Sequence, residues 1–315
     1  MRHVAHVLVA LALLTGSAMA QGWSDDRGTL SLTSANAYEW SDATFHTTSF
    51  LVSGVPSDSL QFNLEAEYVP IDRLTIKALM MTTATRYSGP KMGATPDIIV
   101  AHGSNDDGSF HYTPTDLELE ARYSVLDSER FGLSPALRGQ IPVHDYEVRG
   151  YAASGSGLKE LGAGLYFNVA QAGFERSFLA ASYFFTLVEK ESLGGADTEM
   201  YSVHRSDASI RWGYGITDAF TVAAGVSGRI THGGVDLENI RMVPMGAQMY
   251  HDPILRKDYL TVNALASYQL LDSLSVTASF AFIPIGLNVS NAKIVNLMLT
   301  WTVLPWNKHP EVYED

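Results

Sequence analysis

Three groups of residues in this sequence have types and spacing that could carry chemistry. His102-Gly103-Ser104-Asn105 has a His-x-Ser spacing, in which an imidazole can activate a serine nucleophile toward lipid esters. The same stretch is rich in Gly and Asp, however, and Asp106-Asp107-Gly108 reads as turn chemistry, so no catalytic residue is assigned. The histidines at 102, 111, 144, 204, 232 and 251 lack ligand spacing, and Asn105-Asp106-Asp107 lacks the alternation of a calcium loop. No metal and no cofactor is therefore expected. The third group is the largest: Glu65, Glu67, Glu118, Glu120, Glu160 and Asp207, with Lys77, Arg122, Arg138, Arg205, Arg211 and Arg229. These are six charges of each sign, set at alternate positions within otherwise apolar segments. Such residues either pair across an enclosed interior or line a polar conduit. Their balance argues against a strongly ion-selective pore, which uses rings of one sign.

The segments that must position these charges alternate with period 2. In "SLQFNLEAEYVPIDRLTIKALMM", Ser59 to Met81, one face carries Leu60, Phe62, Leu64, Ala66 and Tyr68, and the other carries Gln61, Asn63, Glu65 and Glu67. That is the signature of a strand with one apolar and one polar face. The pattern predicts twelve strands, near 27–37, 59–69, 72–84, 115–126, 130–141, 157–170, 174–188, 201–216, 219–232, 257–271, 273–285 and 293–304. Tyr-x-x-x-Asp recurs at strand ends in Tyr68–Asp72, Tyr123–Asp127, Tyr214–Asp218 and Tyr268–Asp272, where Asp suits a tight turn. Short turns alternate with longer connections at 38–58, 85–114, 142–156, 189–200, 233–256 and 286–292. An even number of antiparallel strands with short turns at one end and long loops at the other is the pattern of a bacterial outer-membrane barrel. The expected fold class is thus all-β, a transmembrane antiparallel β-barrel of about 12 strands.

The apolar faces agree with this. Each even-numbered strand delivers an aromatic residue just before the short-turn end: Tyr68, Tyr123, Phe167, Tyr214, Tyr268 and Trp301. Amphipathic rings at one level form an interface girdle. Lipid then lies on the leucine side and the lumen on the glutamate side, because Arg or Lys facing lipid at mid-depth costs roughly 2–4 kcal/mol.

Composition points the same way. The 315 residues hold no cysteine, 26 glycines and 15 tyrosines, with 34 acidic against 21 basic residues. That acidic balance excludes nucleic acid as a partner. Without disulfides, closed hydrogen-bonded structure must hold the fold. "MRHVAHVLVALALLTGSAMA" reads as a cleaved export signal over residues 1–20, leaving a barrel at 21–304 and a periplasmic tail at 305–315. Beyond it, no segment approaches the ~20 consecutive apolar residues of a membrane helix. Apolar loop stretches at 47–56, 96–103 and 240–255 read either as an inward-folded entry site for an apolar or aromatic small molecule or as a lid against lipopolysaccharide.

"TDLELEARYSVLDSERFGLSPALRGQIPV", "GLKELGAGLYFNVAQ" and "YGITDAFTVAAGVSGRI" resemble the bacterial outer-membrane transporters associated with meta-pathway phenol degradation, themselves likened to long-chain fatty-acid transporters. The resemblance spans roughly residues 59–232 and consists mostly of barrel patterning. It implies passive uptake of hydrophobic or aromatic compounds and carries over no site residue. Two features depart from the pattern: the sequence runs past Trp301 and Trp306 to Asp315, and no plug motif of the fatty-acid transporters stands near Gln21. The competing expectation is a structural or adhesive barrel with a closed lumen. Outer-membrane lipid and lipopolysaccharide are the expected surroundings, and the sequence sets no oligomeric state.

Overall fold

The computed structural model describes residues 25–47, 50–88, 105–192, 199–236 and 252–303. Twelve long strands form the wall: β1 (Leu30–Thr47), β2 (Phe50–Ile71), β3 (Leu74–Tyr87), β4 (His111–Tyr123), β5 (Phe131–Pro142), β6 (Glu160–Ala170), β7 (Ser177–Val188), β8 (Val203–Gly215), β9 (Phe220–Gly233), β10 (Asp258–Leu271), β11 (Leu274–Leu287) and β12 (Lys293–Val303). Each pairs antiparallel with its sequence neighbours. The sheet closes because β1 pairs on one side with β2, from Leu30↔Tyr68 to Ser41↔Ser57, and on the other with β12, from Leu30↔Val303 to Trp40↔Lys293. Closure satisfies every backbone edge, which is the condition for strands to cross lipid. The fold is a transmembrane antiparallel β-barrel.

Alternation along the strands sorts side chains as a barrel requires. Phe62, Leu64, Tyr68, Leu119, Leu161, Leu165, Ile210, Val295, Leu297 and Leu299 are exposed on the outside, while Glu65, Glu67, Lys77, Glu118 and Glu120 are buried within. A soluble protein would invert this arrangement. The inside holds several small apolar clusters in place of one core, and its shape depends on small residues. At Gly164 a Cβ would lie 2.3 Å from the Tyr183 carbonyl oxygen and 2.5 Å from the Phe184 ring, so only glycine lets Phe184 lie flat against the wall.

One boundary differs substantially from expectation. Residues 38–58 were expected to form a long connection and 47–56 an apolar loop, yet 38–47 belong to β1 and 50–58 to β2, strands of 18 and 22 residues. Roughly 9–11 residues suffice for a strand to cross a bilayer, so this hairpin rises past the membrane on the long-loop side. Its register shifts at Ser41/Ala43 and Phe45/Thr47 explain the misreading: bulges break strict alternation there. Residues 1–20, 96–103, 240–251 and 305–315, where a signal, two apolar loops and a tail were expected, lie outside the described residues, as do His102 and Ser104.

Hydroxyls beside the expected aspartates take part in two of the turns. The N–H groups of Phe131 and Phe220 donate to the hydroxyls of Ser128 (3.0 Å) and Thr217 (2.9 Å), neighbours of Asp127 and Asp218. Asp218 instead pairs with Arg176.

Candidate lumen and entry site

The twelve charged residues named above all face the interior, where the structure segregates them into two clusters. In the first, carried by β2, β3 and β4, Lys77 Nζ lies 3.2 Å from Glu118, 3.9 Å from Glu65 and 4.0 Å from Glu120. Arg122 donates to Glu67 at 2.5 Å and lies 3.8 Å from Glu120, which also accepts from the Tyr166 hydroxyl at 2.9 Å. Four carboxylates thus meet two cations. In the second, carried by β5 to β9, Asp207 accepts from Arg229 at 2.7 Å and Arg138 at 3.3 Å, and lies 3.4 Å from Arg205. Arg205 also grips Glu160 through both terminal nitrogens. With Arg211, four cations meet two carboxylates there.

The sum is neutral, as the composition of the strands predicts, but one wall is acid-rich and the other base-rich. A passing solute would therefore cross a transverse field, which orients dipolar molecules more than it selects ions by sign. Pairing in a low-dielectric interior is what lets eleven of these twelve charges be buried, Arg211 being the exception among the described residues.

Glu39 is a lumen carboxylate that strand reading missed. It is buried on β1, and its Oε2 has no hydrogen-bond partner among the described residues. The signal was present, since Tyr38-Glu39-Trp40 continues the alternation, but the strand was ended at 37.

The six girdle residues sit on the outer surface near the short-turn end. Tyr68, Tyr123, Phe167, Tyr268 and Trp301 are exposed. Tyr214 stacks on Trp212, with centroids 6.4 Å apart, and Tyr268 tilts against Phe220 at the same separation.

Above the charged belt, toward the long loops, the connection 143–159 folds back into the barrel mouth. Its inward position was not foreseen. Tyr146 donates to Asp116 at 2.9 Å and accepts the Gly157 N–H at 3.0 Å, tying the loop to β4 and to itself. Burial, helped by the nearby Asp116 carboxylate, raises the Tyr146 phenol well above its ordinary pKa, so it remains a donor. The N–H groups of Tyr151 and Ala152 donate to Asp106 at 3.0 and 2.7 Å, and Thr85 donates to the Ala152 carbonyl at 2.7 Å. The Tyr151 ring stacks on Tyr87 at 4.4 Å. Gly150 N–H reaches across to Asp252 at 2.8 Å, joining this loop to the segment 252–257.

Beneath these two segments lies a cavity of about 110 Å³. Its lining mixes aliphatic side chains, Leu79, Met81, Leu158, Val188, Val203 and Leu255, with polar ones, Asp116, Gln140, Glu160, Arg205, Arg229 and Lys257. Of the apolar loop expected at 240–255, the described end does pack inward: Ile254 and Leu255 are buried with Leu158, Val188, Val203 and Val235. Lys257 donates to the Asp252 carbonyl at 3.0 Å; burial pulls its ammonium down to about 7, against the opposing pull of Asp252.

Residues near the His-x-Ser stretch form a turn. Asp107 accepts from Ser109 N–H at 2.8 Å and contacts His111 Nε2 at 2.8 Å, which lowers its carboxyl pKa. His204 and His232 stand opposite each other in register, yet each has another partner: His204 accepts the Val188 N–H at 3.1 Å and His232 bonds Ser206 at 2.8 Å. No cluster able to hold a metal occurs among the described residues.

Solved structures resemble this barrel. An outer membrane channel from Pseudomonas putida F1 matches with a TM-score of 0.67 over 90% of this chain and 98% of its own, at 12% identity. The fold is that of bacterial outer-membrane barrels. The NanC porin matches over 86% of this chain and 98% of its own at 10% identity, with a TM-score of 0.47, too low to carry argument. At 12% identity the first likeness establishes architecture alone. No protein-family model matches the sequence, and no curated protein does.

Proposed function

We propose that this protein is an outer-membrane channel of a Gram-negative cell that admits small, partly hydrophobic solutes passively, aromatic compounds among them. The observation that carries the reading is the cavity of mixed aliphatic and polar lining beneath loop 143–159. Its aliphatic side chains suit a ring or short chain, and the polar ones among them suit one hydroxyl or carboxyl group, the usual composition of a small-molecule site. The field between the acid-rich and base-rich walls would then turn the polar end of the solute as it passes toward the short-turn, periplasmic end. The likeness to the Pseudomonas putida F1 channel supports location and role, and the resemblance to phenol-pathway transporters supports the aromatic class. Export through a cleaved signal is part of the same proposal.

Liposome swelling with solutes of matched size and graded polarity tests it. Phenol-sized amphipathic solutes should enter faster than equally large sugars, and removal of residues 147–156 should erase the difference while raising the flux of both. A barrel that passes neither class, with or without the loop, is a closed structural protein. That second reading has its own support in the buried ion pairs that occupy the interior along its walls.

A further inference from the structure

Below the ion pairs, toward the short-turn end, a second and smaller cavity of about 30 Å³ is lined by Lys77, Arg138, Arg211, Asn168, Ser182 and Ser209, with aromatic wall from Tyr166 and Phe184. No carboxylate lines it. Lys77 and Arg138 reach this space while engaged with Glu118 and Asp207 on their other sides. Arg211 differs: it makes no ion pair among the described residues, and its Nε is buried without a hydrogen-bond partner. Its neighbours in register are Ala180 on β7 and Gly225 on β9. Both leave room beside it; a Cβ at Gly225 would come within 3.1 Å of Arg211 Cα and Cβ. Ser182 and Ser209 share a hydrogen bond of 2.7 Å, and a hydroxyl pair retains one hydrogen to donate elsewhere.

We propose that this cavity is a binding site for one small monovalent anion, of chloride to formate size, held chiefly by the Arg211 guanidinium with the free hydroxyl hydrogen of the Ser182–Ser209 pair. A desolvated guanidinium aimed into a space free of acids lacks only its counter-charge, and its planar donor fork matches a halide or a carboxylate edge. The volume corresponds to about two waters, which sets the size of the guest. The site belongs to the wall where four cations meet two carboxylates, so the anion offsets one of the two excess positive charges there. The inference concerns binding and does not require the barrel to conduct.

Chloride NMR line broadening on the detergent-folded protein, titrated with sodium formate, tests it. The native protein should broaden the chloride line in a way that formate reverses, and Arg211→Gln should lose more than half of that reversible part. Arg211→Lys, which keeps the charge, should retain most of it, separating loss of the site from loss of the fold. In crystals grown in sodium bromide, an anomalous peak should stand between Arg211 and Ser209. Broadening in Arg211→Gln equal to that of the native protein, or bromide-grown crystals without that peak, would overturn the assignment.

Discussion

Asp207 is the most heavily used charge in the lumen, and neutralising it is the sharpest test of the two-cluster description. Its side chain is 1% exposed and serves Arg229 at 2.7 Å, Arg138 at 3.3 Å and Arg205 at 3.4 Å. In Asp207→Asn the volume is kept, but Arg138 and Arg229 lose the one carboxylate within 4 Å of them among the described residues, and only Arg205 retains Glu160. Breaking a buried pair by removing one partner costs about 3–5 kcal/mol, because the remaining charge stays desolvated. Exposures of 10–16% for the three arginines mean that water relieves little of this, and a loss of about 3 kcal/mol is expected. Urea unfolding in phospholipid vesicles, followed by tryptophan fluorescence, reads the change. Adding Arg229→Gln should recover part of the loss, with a coupling of about 1 kcal/mol or more in the double-mutant cycle. A single-variant loss below about 0.5 kcal/mol, the range of ordinary surface changes, would show that the arginines are solvated and that no buried network exists.

Leu64, 64% exposed at mid-strand, should lose about 2–4 kcal/mol of vesicle-embedded stability as Leu64→Arg, a change that would be harmless on a protein surrounded by water. Tyr146→Phe removes the bonds to Asp116 and Gly157 N–H. At about 1 kcal/mol for each of the two hydrogen bonds, the released population of loop 143–159 should rise about thirtyfold, seen as faster proteolytic nicking there and noisier single-channel current. Lys257 has a folded-state pKa of about 7, below its unfolded value of 10.5, so the unfolded chain binds more protons between those pH values. Stability should therefore rise with pH from about 7 to about 10.5, with the gain absent below 7, and Lys257→Met should flatten that part of the profile. A profile unchanged by the substitution would place the ammonium in bulk water.

Much of this protein was legible because a barrel is written in a local code. Side chains on a strand alternate strictly, so Leu64 and Glu65 must face opposite media whatever surrounds them, and eleven of the twelve strand starts follow from that rule to within about four residues. The exception, β2, begins at Phe50 because the bulged hairpin hides its own period. The lumen charges were legible for the same reason, and Glu39 was lost only with the end of β1.

The sequence alone determined the architecture, the apolar exterior and the identity of the charges turned inward, since each depends on neighbours one or two positions apart. Which charges meet was beyond it: Arg122 finds Glu67 across 55 positions and Arg138 finds Asp207 across 69, through closure and strand stagger that no local pattern contains. Only the tertiary structure gathered the acids onto one wall, left Arg211 without a carboxylate, and folded loop 143–159 into the mouth. That last placement rests on contacts such as the hydrogen bonds from Tyr146, Gly150 and Ala152 to Asp116, Asp252 and Asp106, between residues that carry no periodic signal.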